Sequence, residues 1–333
     1  MPITFKTKKI NRRDFQKLEF PYYSHTVTPK KILQDFKKLK KYQPNLIEDK
    51  GVTHKLKKFK DSYIVWEEDY EKNEELYKIT DYFSEKCRVR CKYQDRRSKN
   101  SVLNSFKKNK NKIFRKLSKK NKIGYYQIKE YLWENYKQCT NFNTTIAVCV
   151  VRLLKSKRWL DFSAGWGDRL VGAIACNCFY VGVDPNPCLH PKYRNIVKTL
   201  ASSKNQKNYR LYQSPFETAE IKESKFDLVF TSPPFFELEN YTEHQNQSHH
   251  KFKTLDAWFQ DFLVVSVRKS CDLLVVGGYL ALYISDYTKT KFVARLKKYI
   301  EENMLEMKYQ GDLHWKYANA KPRTIFVWQK MKM

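Results

Sequence analysis

Asp161-Phe162-Ser163-Ala164-Gly165-Trp166-Gly167-Asp168-Arg169 is the stretch from which the fold can be read. The apolar run before it reads as a short buried strand over 158–162, and the amphipathic run after it as a helix over 167–175. Between them, two glycines open the backbone where a strand hands over to a helix. Moving outward, strands are expected over 180–184, 209–213, 226–231, 279–284 and 324–329, and helices over 191–202, 255–274 and 291–303. Gly277-Gly278 reads as the turn before the fifth strand. Regular alternation of this kind implies a doubly wound α/β sheet, mostly parallel, with helices on both faces.

In such a sheet, ligands sit at the carboxyl ends of the strands, where the strand order reverses. Gly165 and Gly167 allow close approach of backbone to a ligand, although a lone G-x-G is a weak signal and is not the nicotinamide fingerprint. The second strand ends at Asp184, about twenty residues on, where a carboxylate can accept hydrogen bonds from both ribose hydroxyls. Together they point to a nucleoside-bearing cofactor.

The fourth strand ends in Ser232-Pro233-Pro234-Phe235. Its hydroxyl and the Pro233 carbonyl offer paired acceptors, and two prolines fix the direction of that carbonyl. An amino group conjugated to an aromatic base is a poor nucleophile, because its lone pair is delocalised into the ring. Two acceptors drawing on its hydrogens favour a pyramidal nitrogen, and Phe235 can stack on the base. A proline pair is also an ordinary strand stop; its position after the glycine turn and Asp184 favours the chemical reading. Beyond it, Phe236, Glu237, Glu239 and Tyr241 are expected to form a lid or base-contacting loop. Pro187-Cys188 resembles a cytosine C5 nucleophile pair, but it follows the wrong strand and is read as structural.

This order of glycine turn, acidic strand end and Ser-Pro-Pro-Phe resembles the S-adenosylmethionine-dependent DNA amino-methyltransferases of adenine N6 or cytosine N4, over 139–287 and 321–330. Within the family it is similar to phage and large-DNA-virus members, which have a comparable block at 79–91. The resemblance implies a class I, Rossmann-like methyltransferase over 139–333. It places Asn141 and Phe142 in a cofactor-side segment before the first strand. Asp161, Ser163, Ala164, Gly165 and Gly167 would hold the methionine half, Asp184 the ribose, and Asn186 and Phe216 the adenine. Ser232, Pro233, Pro234 and Phe235 would receive a flipped base. Serine at the first position leans towards cytosine N4. An RNA adenine N6 enzyme and a catalytically silent nucleic-acid-binding subunit are the competing readings.

Composition agrees with a polyanionic partner. The chain of 333 residues carries a formal net charge of +30, of which residues 1–150 supply +20 from 37 basic and 17 acidic side chains. Between Lys92 and Lys122 lie thirteen basic residues and one acid. If 102–117 is one helix, Leu103, Phe106, Ile113, Phe114 and Leu117 face inward and Lys107, Lys108, Lys110, Lys112 and Lys116 face out. With Arg96, Arg97, Arg115 and Tyr241, these are the candidate nucleic-acid contacts, DNA ahead of RNA. Residues 1–138 are therefore expected to be a basic, mostly helical binding region.

No apolar run is long enough to span a bilayer and the N-terminus lacks a signal-peptide core, so a soluble intracellular protein is expected, in host cytoplasm or nucleus if viral. The eight cysteines are spread thinly, which suits reduced thiols, and no metal site is expected from Cys87-x3-Cys91 alone.

Overall fold

The computed structural model describes residues 10–44, 46–48, 64–93, 100–119, 123–287, 290–317 and 320–332. The amino-terminal part holds α1 (Arg12–Lys17), α2 (Pro29–Lys41), β1 (Leu46–Glu48), β2 (Ile64–Glu68), α3 (Tyr70–Tyr77), α4 (Ile79–Arg88) and β3 (Lys92–Tyr93). It continues through α5 (Val102–Lys108), α6 (Lys110–Ser118) and α7 (Tyr125–Asn135). Then come α8 (Thr144–Leu153), β4 (Arg158–Asp161), α9 (Asp168–Ala175), β5 (Phe179–Val183), α10 (His190–Leu200), β6 (Tyr209–Tyr212) and β7 (Phe226–Thr231). The remainder comprises β8 (Glu239–Asn240), α11 (Ser248–Lys251), α12 (Leu255–Ala257), α13 (Val265–Asp272), β9 (Leu274–Tyr283), α14 (Val293–Asn303), β10 (Met307–Tyr317) and β11 (Arg323–Lys330).

Nine strands form one sheet in the order β1-β2-β10-β11-β9-β7-β4-β5-β6. β4 runs parallel to β5 and β7, β5 to β6, and β7 to β9, whereas β11 is antiparallel to both β9 and β10. The order reverses at β4, which puts a crevice between the carboxyl ends of β4 and β7.

Alternating side chains explain why this sheet is covered twice. Trp159, Tyr180, Leu228 and Phe230 pack with Ile146, Leu170 and Ile196 of α8 to α10 on one face. Their neighbours Leu160, Val181, Val229 and Leu280 pack with Leu263, Val267, Leu296 and Ile300 on the other. Period-2 alternation in which both faces are apolar is what a sheet buried between two helical layers requires.

Three expectations need correction. The single helix over 102–117 is two helices, broken at Asn109, and Lys110 turns inward to donate to the carbonyls of Gln16 and Leu18 at 2.6 Å each. Gly277-Gly278 does not separate elements: Gly277 adopts φ +83° inside β9, and the β7/β9 register shifts between Phe226 and Leu228. That bulge lets one ten-residue strand run past β7. The helix over 255–274 contains a π-helical stretch, Trp258–Val264, which buries Trp258, Phe259, Phe262, Leu263 and Val264. The amino-terminal part also contributes a strand not expected there: β2 adds to the central sheet in parallel with β10, pairing Trp66 with Trp315.

The cysteines also depart from expectation. Cys87 is bonded to Cys188 and Cys91 to Cys139, while Cys149, Cys176, Cys178 and Cys271 take part in no disulfide among the described residues. Cys87 lies in the last turn of α4 and Cys91 three residues beyond its end, so each meets a different loop.

Candidate active site

A cavity of about 720 Å³ opens at the carboxyl ends of β4, β5, β7 and β9. Its wall brings together Asn141, Phe142, Ser163, Gly165, Asp184, Asn186 and Phe216 with Ser232, Pro233, Pro234, Phe235 and Tyr241. The size lies within the usual range for a small-molecule site.

The glycine turn is built for close approach. Gly165 sits at φ +58° and Gly167 at φ +98°, a region that side chains avoid. A Cβ on Gly167 would meet Ile196 Cδ1 at 2.8 Å, so this second glycine serves the packing of the turn on α10. Gly167 and Ala164 are not on the cavity wall. Ala164 holds the turn instead, its N–H donating to the Val183 carbonyl at 2.9 Å.

Asp161 is also absent from the wall. It is fully buried, and its carboxylate is saturated: Oδ1 accepts from the Ser163 N–H at 3.3 Å and the Thr231 hydroxyl at 2.7 Å. Oδ2 accepts from Arg169 Nε and the Tyr180 hydroxyl, both at 2.8 Å. With all its lone-pair sites used, Asp161 has none left for a ligand. It fastens β4 to β5 and β7, and it fixes Arg169, which also donates to the Ser163 carbonyl.

Asp184 is placed differently. Oδ2 accepts the Gly165 N–H at 3.0 Å and Oδ1 the Asn186 N–H at 2.9 Å, which orients the carboxylate and leaves acceptor capacity facing the cavity. Burial raises its pKa to about 7. Phe216 stacks on Phe162 with ring centroids 5.2 Å apart, forming a flat apolar wall near Asn186. These features suit a ribose and a purine.

At the other end, Phe142 meets Phe230 and Tyr283, and Phe235 lies 6.4 Å from Tyr283. Asn141 points its amide nitrogen at Asp81 Oδ1, 3.1 Å away. Tyr241 faces inward: its ring packs edge-on to Trp166 at 5.6 Å, and its hydroxyl donates to Glu239 Oε2 at 2.6 Å. Burial raises Glu239 and Asp168, both on the wall, to about 7, against the opposing pull of the Tyr241 and Thr80 hydroxyls. Nothing in the sequence singled out Asp168, and Glu239 was only part of an expected lid; an acid in each cavity-facing segment was the available signal.

The basic candidates lie elsewhere. Lys107, Lys108, Lys112, Arg115 and Lys116 are on α5 and α6, and none lines the cavity. Arg96 and Arg97 fall outside the described residues. Nearer the mouth, the exposed Arg323 lies over Trp315, with its guanidinium carbon 4.9 Å from the ring. The loop following the tetrapeptide is held by the amino-terminal part through the β3–β8 pairing of Lys92 with Asn240 and Tyr93 with Glu239.

No protein-family model and no curated protein sequence matches the chain. Among solved structures it is similar to TrmN from Thermus thermophilus, at 17% identity over 57% of this chain and TM-score 0.40. The match spans 49% of the TrmN chain, about half its length. It is also similar to the T. thermophilus 16S rRNA N2 G1207 methyltransferase RsmC in complex with AdoMet and guanosine, at 14% identity, 58% and 44% coverage and TM-score 0.38. The glycopeptide N-methyltransferase MtfA aligns at 11% identity, 57% and 96% coverage and TM-score 0.40. Likenesses this distant carry no argument; the topology does. The seven strands β10-β11-β9-β7-β4-β5-β6, with β11 reversed and a cavity at the β4 switch point, have the class I, Rossmann-like methyltransferase fold.

Proposed function

We propose that the chain is an S-adenosylmethionine-dependent methyltransferase acting on the exocyclic amino group of a flipped nucleobase in DNA, cytosine N4 or adenine N6. The observation that carries this reading is the single cavity shared by the glycine turn, Asp184 and Ser232 to Phe235. The residues fit such a cofactor: Asp184 keeps acceptor capacity for ribose hydroxyls, and the Phe162–Phe216 wall suits adenine. When bound, the cofactor supplies a methyl carbon activated by a sulfonium.

Ser232 Oγ and the Pro233 carbonyl accept the two amino N–H groups of the base. That draws the nitrogen out of conjugation and aims its lone pair. Phe235, with Tyr283 and Phe142 behind it, stacks on the ring and keeps water from the reacting nitrogen. After transfer the nitrogen has one proton too many, which the Ser232 hydroxyl passes to solvent. Arg323 over Trp315 supplies a phosphate contact at the mouth, and lysines on α5 and α6 supply contacts away from the cavity. RNA is the second polymer to test, because the same amino chemistry occurs there.

The test is methyl transfer from labelled cofactor to matched DNA and RNA oligonucleotides, with nucleosides identified by mass. N4-methylcytosine or N6-methyladenine in DNA, formed about 10- to 100-fold more slowly with Ser232→Ala, is the expected result. 5-Methylcytosine would refute the amino-group assignment, and modification of RNA alone the DNA assignment.

A further inference from the structure

One end of the cavity is lined by acceptors that lack donors. Asn141 Oδ1 and Asp168 Oδ1 are buried without a hydrogen-bond partner, and Asp168 is only 2% exposed. Glu239 differs: its carboxylate accepts from the Tyr241 hydroxyl and from the Thr140 N–H, yet it forms no ion pair among the described residues. The other acids on the wall are occupied. Glu217 pairs with Lys251 at 3.0 Å, and Asp286 Oδ1 accepts the Phe292 and Val293 N–H groups at 2.8 and 3.0 Å.

Arg88 and Arg169 offset this end only in part, because their own hydrogen bonds go elsewhere. Arg169 is tied to Asp161, and Arg88 Nη2 to Asp81 Oδ1 at 2.6 Å, with its Nη1 donating to the Cys139 carbonyl at 3.0 Å. Buried acceptors without donors, beside an unpaired carboxylate, are costly unless a ligand brings both hydrogens and positive charge. A primary ammonium does so, with three N–H donors and one charge.

The turn shows which ammonium this is. Gly165 touches Asp184 at the ribose end, and the next residue, Trp166, touches Tyr241, the partner of Glu239. A ligand lying along the turn from ribose outward thus extends towards Glu239, on the wall that also carries Asn141 and Asp168.

We infer that Asn141 Oδ1, Asp168 Oδ1 and the Glu239 carboxylate form a cradle for the α-ammonium of the cofactor's methionine half, the role Asp161 is too fully engaged to fill. The inference rests on the cofactor named above and is independent of which polymer is methylated. Asn141 is held by Asp81 of α4, so the amino-terminal part helps to shape the cofactor site. Ionisation of Glu239 and Asp168, both raised to about 7 by burial, is favoured once an ammonium lies between them.

Calorimetric titration of the full chain with three ligands tests this. S-Adenosylmethionine carries a sulfonium and an ammonium, S-adenosylhomocysteine only the ammonium, and 5′-methylthioadenosine neither. Glu239→Gln, and separately Asp168→Asn, should weaken the first two by a similar factor of about tenfold or more, leaving methylthioadenosine within about twofold. Unchanged methylthioadenosine binding also reports that the variant is folded. Equal weakening of all three, weakening of S-adenosylmethionine alone, or no weakening would overturn the cradle. If the unaltered protein binds none of the three, the cofactor reading itself fails, a result separable from loss in the variants only.

Discussion

Arg169 Nε lies 2.8 Å from Asp161 Oδ2, and both side chains are almost wholly buried, at 4% and 0% exposure. Removing one member of such a pair strands the other charge. Asp161→Ala should cost about 3–5 kcal/mol of unfolding free energy, read from urea denaturation. A loss of cofactor affinity without loss of stability would show instead that Asp161 contacts ligand.

Asp184, Asp168 and Glu239 share raised pKa values of about 7. Raised carboxyl pKa values favour the protonated, folded protein at low pH. Their contribution to stability is complete below ordinary carboxylate values and is lost as pH rises towards 7. Ligand binding runs the other way, because ribose hydroxyls and an ammonium both prefer carboxylates. S-Adenosylhomocysteine affinity should therefore fall about tenfold for each site that must ionise, between about pH 8 and about pH 6, and its thermal stabilisation should shrink in step. A flat affinity profile over that range would contradict this.

Phe235→Ala should remove a stacking interaction of about 1–3 kcal/mol, raising the substrate KM while cofactor Kd stays unchanged. Ser232→Ala should act mainly on kcat, by about 10- to 100-fold, as expected when one aligned hydrogen bond is removed. Steady-state kinetics on a DNA oligonucleotide separates the two patterns.

Neutralising Lys107, Lys108, Lys112, Arg115 and Lys116 together should weaken DNA binding at all sequences. For every phosphate that these side chains no longer neutralise, the slope of log K against log salt should become shallower by about 0.9. Fluorescence anisotropy between about 50 and about 200 mM salt, where such slopes are steep, checks it. An unchanged slope would remove α5 and α6 from the interface.

Four cysteines should resist alkylation in denaturant until a reductant is added, since Cys87–Cys188 and Cys91–Cys139 are bonded. Intact-mass shifts count the labels before and after reduction. Labelling of all eight cysteines without reductant would contradict both pairs.

The strands that carry the cavity were legible because β4, β5 and β7 are short, apolar and end in diagnostic residues. Asp184 and Ser232 face the cavity as their chain positions suggested. Asp161 was misleading: its position at a strand end looks like that of Asp184, and only packing shows that Arg169, Tyr180 and Thr231 converge on it. β2 was hidden because its partner β10 lies near the far end of the chain, Ile64 meeting Leu313, beyond any local pattern. Asn109 breaks the basic helix, though nothing in the apolar spacing of Phe106 and Ile113 announced it. The disulfides were illegible for the same reason as β2, being bonds between distant segments.

The pairing of β2 with β10 has a wider consequence. A strand supplied from before the basic segment is hydrogen-bonded into the same sheet that carries the cavity, and α4 and the residues just after it are bonded to two loops at its rim. Heat should therefore melt both halves in one calorimetric transition rather than two, and residues 139–333 alone would present a raw sheet edge at β10.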